Sequence, residues 1–167
     1  MDGKATEPTP IKPTTTVERT SDRELVVTRT VNGPARIVYE AWTRPELIMR
    51  WWAPKSFGIS FISCEVDART GGSYRYVFGH PSFEQPMAFF GKYLEVIPQA
   101  RLVLTNEESD QGAVTTVTFT EKGGTTQVVI HDIYPTKEAL DAAIASGSTG
   151  AYPEQFDELD ALLAGLC

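Results

Sequence analysis

The feature that most restricts this chain is a turn set between two runs that alternate by twos. Asp67-Ala68-Arg69-Thr70-Gly71-Gly72 predicts a tight reversal, because adjacent glycines reach positive φ without steric cost. Before it, Ile62, Cys64 and Val66 recur at every second position. After it, Tyr74, Tyr76 and Phe78 do the same, with Arg75 between them. A period of two puts each set on one face of a strand. Residues 57–67 and 73–80 therefore read as a hairpin with an aromatic inner face that carries tyrosine hydroxyls, and Cys64 points inward on this register. Such a wall either fills a core or lines a cavity with a few polar handles.

Composition limits what that hairpin can belong to. The 167 residues are enough for one domain with a real core. With 15 Lys and Arg against 22 Asp and Glu the chain carries −7 and has no basic run, so a nucleic-acid partner is not expected. No apolar stretch approaches the roughly 20 residues of a membrane span, and the polar start lacks a signal-peptide core. Membrane association is not expected, and the two cysteines, Cys64 and Cys167, are too few for a disulfide framework. A reduced, cytoplasmic protein is the expectation, monomeric or homodimeric.

Residues 1–22 are rich in Thr and Pro and have almost nothing apolar to bury. They read as a flexible, disordered tail, and residues 23–167 as the domain. Residues 24–31 form a first strand ended by Asn32-Gly33. Pro34 opens a short helix to Trp42, with Ile37, Val38, Ala41 and Trp42 on one stripe. Thr43 is placed to cap a second short helix from Pro45, buried through Leu47, Ile48 and Trp51 and stopped by Ala53-Pro54. Trp51 and Trp52 read as anchors of these helices, stacking on a ligand being the less favoured reading.

After the hairpin, residues 87–97 form a long strand in which Gly91 marks a bulge or bend. Residues 101–105, 113–121 and 125–133 follow, joined by short turns, which makes an antiparallel meander. The period then changes. Residues 137–145 form a short helix, and from about Gly150 the residues Tyr152, Phe156, Leu159, Leu162 and Leu163 mark a long amphipathic one with Pro153 in its first turn and Asp157, Glu158 and Asp160 toward water. An α+β architecture results: a curved antiparallel sheet of about seven strands around a long terminal helix, with two short helices after the first strand.

Four segments carry a resemblance: VTRTVNGPARIVYEAWTRPELIMRWWAP, DARTGGSYRYV, GKYLEVIPQARLV and TKEALDAAIASG. In them the chain resembles the START-related, polyketide-cyclase-like superfamily with its helix-grip fold, and within it the branch named after the activator of the heat-shock-protein-90 ATPase. The resemblance spans residues 24–166. It implies a cavity between sheet and terminal helix, and through the branch's name a cochaperone-like role, although the additional N-terminal domain of such cochaperones has no counterpart in this sequence. One local departure stands out. Where the branch often begins its last helix with a Met-Gly-type segment and a tryptophan, this chain has Ser148-Thr149-Gly150-Ala151-Tyr152.

The residues offer little placed chemistry. His80 falls in a loop and His131 on the outer face of the last strand, with no third ligand at metal spacing. Neither cysteine has a neighbouring histidine, and no nucleophile elbow or phosphate loop occurs. No metal or cofactor is expected. Glu95 and Asp132 lie within strands and read as solvent-facing or paired with Arg75 or Arg101, a buried carboxyl with raised pKa being the alternative. Arg69 and Arg75 could clamp an anion, but outward placement on the hairpin is the plainer reading. The expected ligand wall comprises Tyr74, Tyr76, Phe78, Val117, Phe119, Val128, Ile130, Tyr152 and Phe156, enclosing roughly 300 Å³ or more. Three functions fit: binding of a small hydrophobic, ring-bearing molecule, cyclase or aromatase chemistry in the same cavity, or cochaperone-like regulation.

Overall fold

Each expected period resolves into an element in the computed structural model, which describes residues 15–53, 55–147 and 149–166. In order these are β1 (Thr16–Arg19), β2 (Glu24–Val31), α1 (Ala35–Thr43), α2 (Pro45–Trp51), β3 (Ser60–Val66), β4 (Ser73–Gly79), β5 (Met87–Ile97), β6 (Arg101–Thr105), β7 (Val114–Lys122), β8 (Thr125–Ile133), α3 (Lys137–Ala145) and α4 (Tyr152–Leu166). The strands make one curved antiparallel sheet in the order β1-β2-β8-β7-β6-β5-β4-β3. From β3 to β8 every neighbour in space is a neighbour in sequence. β2 then closes onto β8 across the far side, with Leu25 opposite Asp132 and Arg29 opposite Val128. No described helix is long and apolar enough to cross a membrane.

Helices cover one face of this sheet. α4 buries Phe156, Leu159, Leu162 and Leu163 and packs on α1, α2 and β2. From β2, the alternate residues Leu25, Val27 and Val31 enter the same core. Arg29 lies on that inner face too, at 4% exposure. Its guanidinium is held by α4: Nη2 donates to Asp160 at 2.6 Å and to Asp157 at 3.0 Å. Asp160 also accepts the Asn32 N–H at 3.0 Å, and Glu158 accepts the Lys55 N–H at 2.8 Å. The acidic residues expected to face water thus fasten α4 to the chain beside it, because a buried arginine must be paired.

The sheet has eight strands, one more than the pattern implies. Thr16–Arg19 pairs with Leu25–Thr28 of β2, Val17 opposite Val27, within the stretch read as tail. All four of its side chains are exposed. An edge strand of this kind is held by backbone hydrogen bonds, so a search for apolar residues passes it by. Arg19 also reaches Asp141 of α3 at 2.8 Å. Residues 1–14 of the expected tail lie outside the described residues, as do Pro54, Ser148 and Cys167.

Three local readings change. The β3–β4 register slips between Phe61 and Ser63, so Phe61, Cys64 and Val66 pack on the core while Ile62 is 60% exposed. A bulge breaks the strict alternation that put Ile62 inside. Burial pushes the Cys64 thiol up to about 11. In β5 the slip falls between Tyr93 and Glu95, not at Gly91. Gly91 is there for space: a Cβ would lie 2.0 Å from the Thr105 carbonyl oxygen, which also accepts the Tyr74 hydroxyl at 2.5 Å. Finally, α2 has no side-chain cap at its start, since the Thr43 hydroxyl donates back to the Tyr39 carbonyl at 3.0 Å. At the hairpin turn Gly71 takes φ +88°, and a Cβ on Gly72 would meet the Asp67 carbonyl oxygen at 2.0 Å. The two glycines meet two different requirements.

Candidate functional site

Between the helical layer and the sheet, the packing leaves two adjoining spaces. The inner one, about 120 Å³, is bounded by Trp42, Ile48 and Trp51 of the short helices, Tyr93, Leu102 and Val117 of the sheet, and Phe156 of α4. The outer one, about 530 Å³, opens toward the loop of residues 106–113, the alanine face of α3 (Ala139, Ala142, Ala143) and the start of α4. Trp52, Phe89, Leu104, Thr115, Tyr152 and Gln155 border both.

Of the nine residues expected in a ligand wall, Tyr76, Val117, Ile130 and Phe156 border the inner space. Tyr74 and Phe78 border the outer one, and Tyr152 both. Phe119 and Val128 border neither. They are directly paired on β7 and β8, at the end of the sheet that α1 covers. Phe119 there packs edge-on against Tyr39 and Trp42, with ring centroids 5.9 and 5.4 Å away, and Val128 is wholly buried. Strand alternation gives the inward face but not which end of it a helix fills.

The two tryptophans divide their roles. The indole N–H of Trp51 donates to the Ala41 carbonyl at 2.8 Å, and its side chain is buried, which makes it the anchor expected. Trp52 instead stands among rings, 5.1 Å from Tyr76, 5.2 Å from Phe89, 5.8 Å from Phe78 and 5.9 Å from Phe61 between centroids. Gln155 Nε2 donates to the Trp52 carbonyl, tying that segment to α4. Phe89 and Tyr93 share the parity of Gly91 on β5, so the alternation that found Tyr74 and Tyr76 contained them as well.

Polar groups converge at one point. Asp132 on β8 is 3% exposed. It accepts the Thr115 hydroxyl at 2.5 Å and the Tyr152 hydroxyl at 3.1 Å. Burial lifts its carboxyl above the ordinary carboxylate range, and the two hydroxyls pull partly the other way. Burial likewise raises the phenols of Tyr76 and Tyr152 well above 10, so both remain donors at neutral pH. The reading of Asp132 as solvent-facing or paired with an arginine is corrected: with His131 outward and Ile130 inward, parity places 132 inward. Glu95 does pair with Arg101, at 3.0 Å near the surface. His131 meets Glu24 at 2.8 Å across the sheet. Arg69 closes on Asp67 at 2.9 Å, and Arg75 lies over the Phe90 ring at 5.3 Å. Neither arginine borders the cavity.

Comparison with known proteins places this geometry. The sequence model described as Activator of Hsp90 ATPase homolog 1-like protein matches residues 32–164. A crystal structure of a Rhodobacter sphaeroides protein superposes with a TM-score of 0.83 at 23% identity, covering 92% of this chain and 100% of that one. A Chromobacterium violaceum protein is 27% identical with a TM-score of 0.70, over 83% and 96% of the two chains. The solution structure of the AHSA1-like protein from Aeromonas hydrophila gives 0.66 at 22% identity, over 85% and 95%. No curated protein matches the chain significantly.

Proposed function

The chain belongs to the Activator of Hsp90 ATPase homolog 1-like family, and within it we propose a binding module for a small, largely apolar, ring-bearing molecule held between the sheet and α4. The observation that carries this reading is the outer space of about 530 Å³, of the size that drug-sized ligands occupy, bordered by aromatic rings and by the hydrogen-bonded group of Asp132, Thr115 and Tyr152. Aromatic walls recognise rings through offset and edge-to-face contacts, and the hydroxyls of Tyr152 and Thr115 beside Asp132 supply direction.

The test is titration of the purified protein with 2-naphthylmethanol and a panel of neutral one- and two-ring compounds, followed by amide chemical shifts and tryptophan fluorescence. Shifts concentrated at Trp52, Phe89 and Tyr152 are expected, with Trp52→Ala weakening binding about tenfold, the equivalent of about 1.4 kcal/mol. No saturable shift from any compound up to its solubility limit would remove the reading.

One observation favours a second reading, cyclase- or aromatase-type chemistry. The Asp132–Tyr152 pair could move a proton to and from a bound polyketide-like intermediate. Conversion of such a substrate by the wild type but not by Asp132→Asn would establish it. Regulation of a heat-shock ATPase would instead use the outer surface, and substitutions confined to the cavity wall would leave it unchanged.

A further inference from the structure

The charges that border the cavity are of one sign. Asp132 and Glu108 border the outer space, and among the described residues no lysine, arginine or histidine borders either space. The donors to the Asp132 carboxylate are the two hydroxyls of Thr115 and Tyr152. Its sequence neighbour His131 lies across the sheet against Glu24. A carboxyl at 3% exposure has lost its water, and with hydroxyls as its partners burial by itself favours the protonated form. A cation seated beside it would favour the carboxylate instead and pair with it. The rings of Trp52, Tyr74, Phe78, Phe89, Tyr134 and Tyr152 border the same space, and aromatic faces attract an organic cation through their quadrupoles. An anionic occupant would meet two carboxylates with no balancing charge. A neutral occupant would leave Asp132 with its two hydroxyl partners and no ionic contact.

We infer that the cavity selects a protonated organic amine, with its ammonium group at Asp132 and its apolar, ring-bearing body among the aromatic side chains. This rests on the ligand-binding reading above and narrows it to one charge class. The division of labour follows from the geometry. The rings supply most of the contact area, while Asp132 supplies the discrimination, because a buried carboxylate separates ammonium from hydroxyl far better than a ring does.

Three probes of nearly one shape test it: 2-naphthylmethylammonium, 2-naphthylmethanol and 2-naphthoate. Their affinities for the full chain are measured by calorimetry and tryptophan quenching at neutral pH. Salt is kept at about 0.5 M, where the screening length is only about 4 Å, so the general attraction of a chain carrying −7 for any cation is suppressed. The ammonium is expected to bind at least tenfold tighter than the alcohol, with the carboxylate weakest. Asp132→Asn should remove the preference for the ammonium over the alcohol, whatever it does to the affinity for both, whereas Glu108→Gln at the cavity edge should move the ammonium less than threefold. Equal affinities for ammonium and alcohol, or a carboxylate that binds tightest, would overturn the inference and leave the ligand-binding reading standing. Failure of all three probes to bind would overturn the inference, and failure of the whole panel of one- and two-ring compounds as well would overturn the ligand-binding reading. The order measured on the wild type decides the question even if Asp132→Asn does not fold.

Discussion

Replacing Phe156 with alanine tests the packing and the cavity together. The ring is 1% exposed, 6.0 Å from the Trp42 ring, and 6.0 Å beneath the guanidinium carbon of Arg29. Buried Phe→Ala changes cost about 3–5 kcal/mol, and the cost grows with the volume that the neighbours cannot fill. Two features pull this site in opposite directions. The inner space of about 120 Å³ already lies against the ring, which gives Trp42 and Tyr152 room to relax. Against that, Arg29 would lose its aromatic platform beside the Asp160 pair, a contact worth about 0.5–2 kcal/mol. We therefore expect about 3–4 kcal/mol. For a chain of this length each kcal/mol lowers Tm by about 2–4 °C, so a fall of roughly 6–16 °C should appear in calorimetry, with a matching drop in the urea midpoint at unchanged slope. A loss below about 1 kcal/mol would mean that α4 does not present this residue to the core, and would refute the helix phase on which the site is built.

Two further outcomes are expected. Burial raises the Asp132 carboxyl, so the folded form holds its proton more tightly than the unfolded form. Its favourable contribution is complete below the unfolded value of about 3.9 and is lost as pH rises through the raised folded value. Urea titrations at successive pH values should therefore show the wild type losing ground to Asp132→Asn from about pH 4 upward, and parallel curves would contradict the assignment. Gly91→Ala drives a Cβ to 2.0 Å from the Thr105 carbonyl oxygen, which forces β5 and β6 apart and strains the Tyr74 hydrogen bond. The expected cost exceeds about 2 kcal/mol, and a change within about 0.5 kcal/mol would show that this approach is slack.

Much of the architecture was written in local patterns. The period-two runs defined β4 through β8 to within a residue or so, because each strand alternates and each is closed by a turn with its own chemistry. The change to helical spacing at Lys137 and again at Tyr152 placed α3 and α4, and the four resembling segments named the fold. Where strict alternation failed, a bulge had entered: Ile62 turned outward because β3 carries one residue more than its partner across the slip. β1 left no trace in composition, because an edge strand with four exposed side chains is held by backbone hydrogen bonds that every residue type can make.

The site was legible in part, and the division has a physical cause. Parity along a strand is local, so the sequence by itself determined that Tyr74, Tyr76, Val117 and Ile130 face inward. The same rule holds for Phe89, Tyr93 and Asp132, although the expected wall left out the first two and Asp132 was expected outside. Whether an inward residue meets a helix or an opening depends on where elements distant in the chain come to rest. α1 settles over Phe119 and Val128 and fills that end of the sheet, while α3 and the start of α4 stand off from the other end and leave it open around Asp132. Arg29 lies 128 and 131 residues from the two aspartates that hold it. No local pattern could pair them. The inward face follows from the chain's own period, but the vacancy beneath it exists only once sheet and helices have closed on each other, and so the tertiary structure alone decided it.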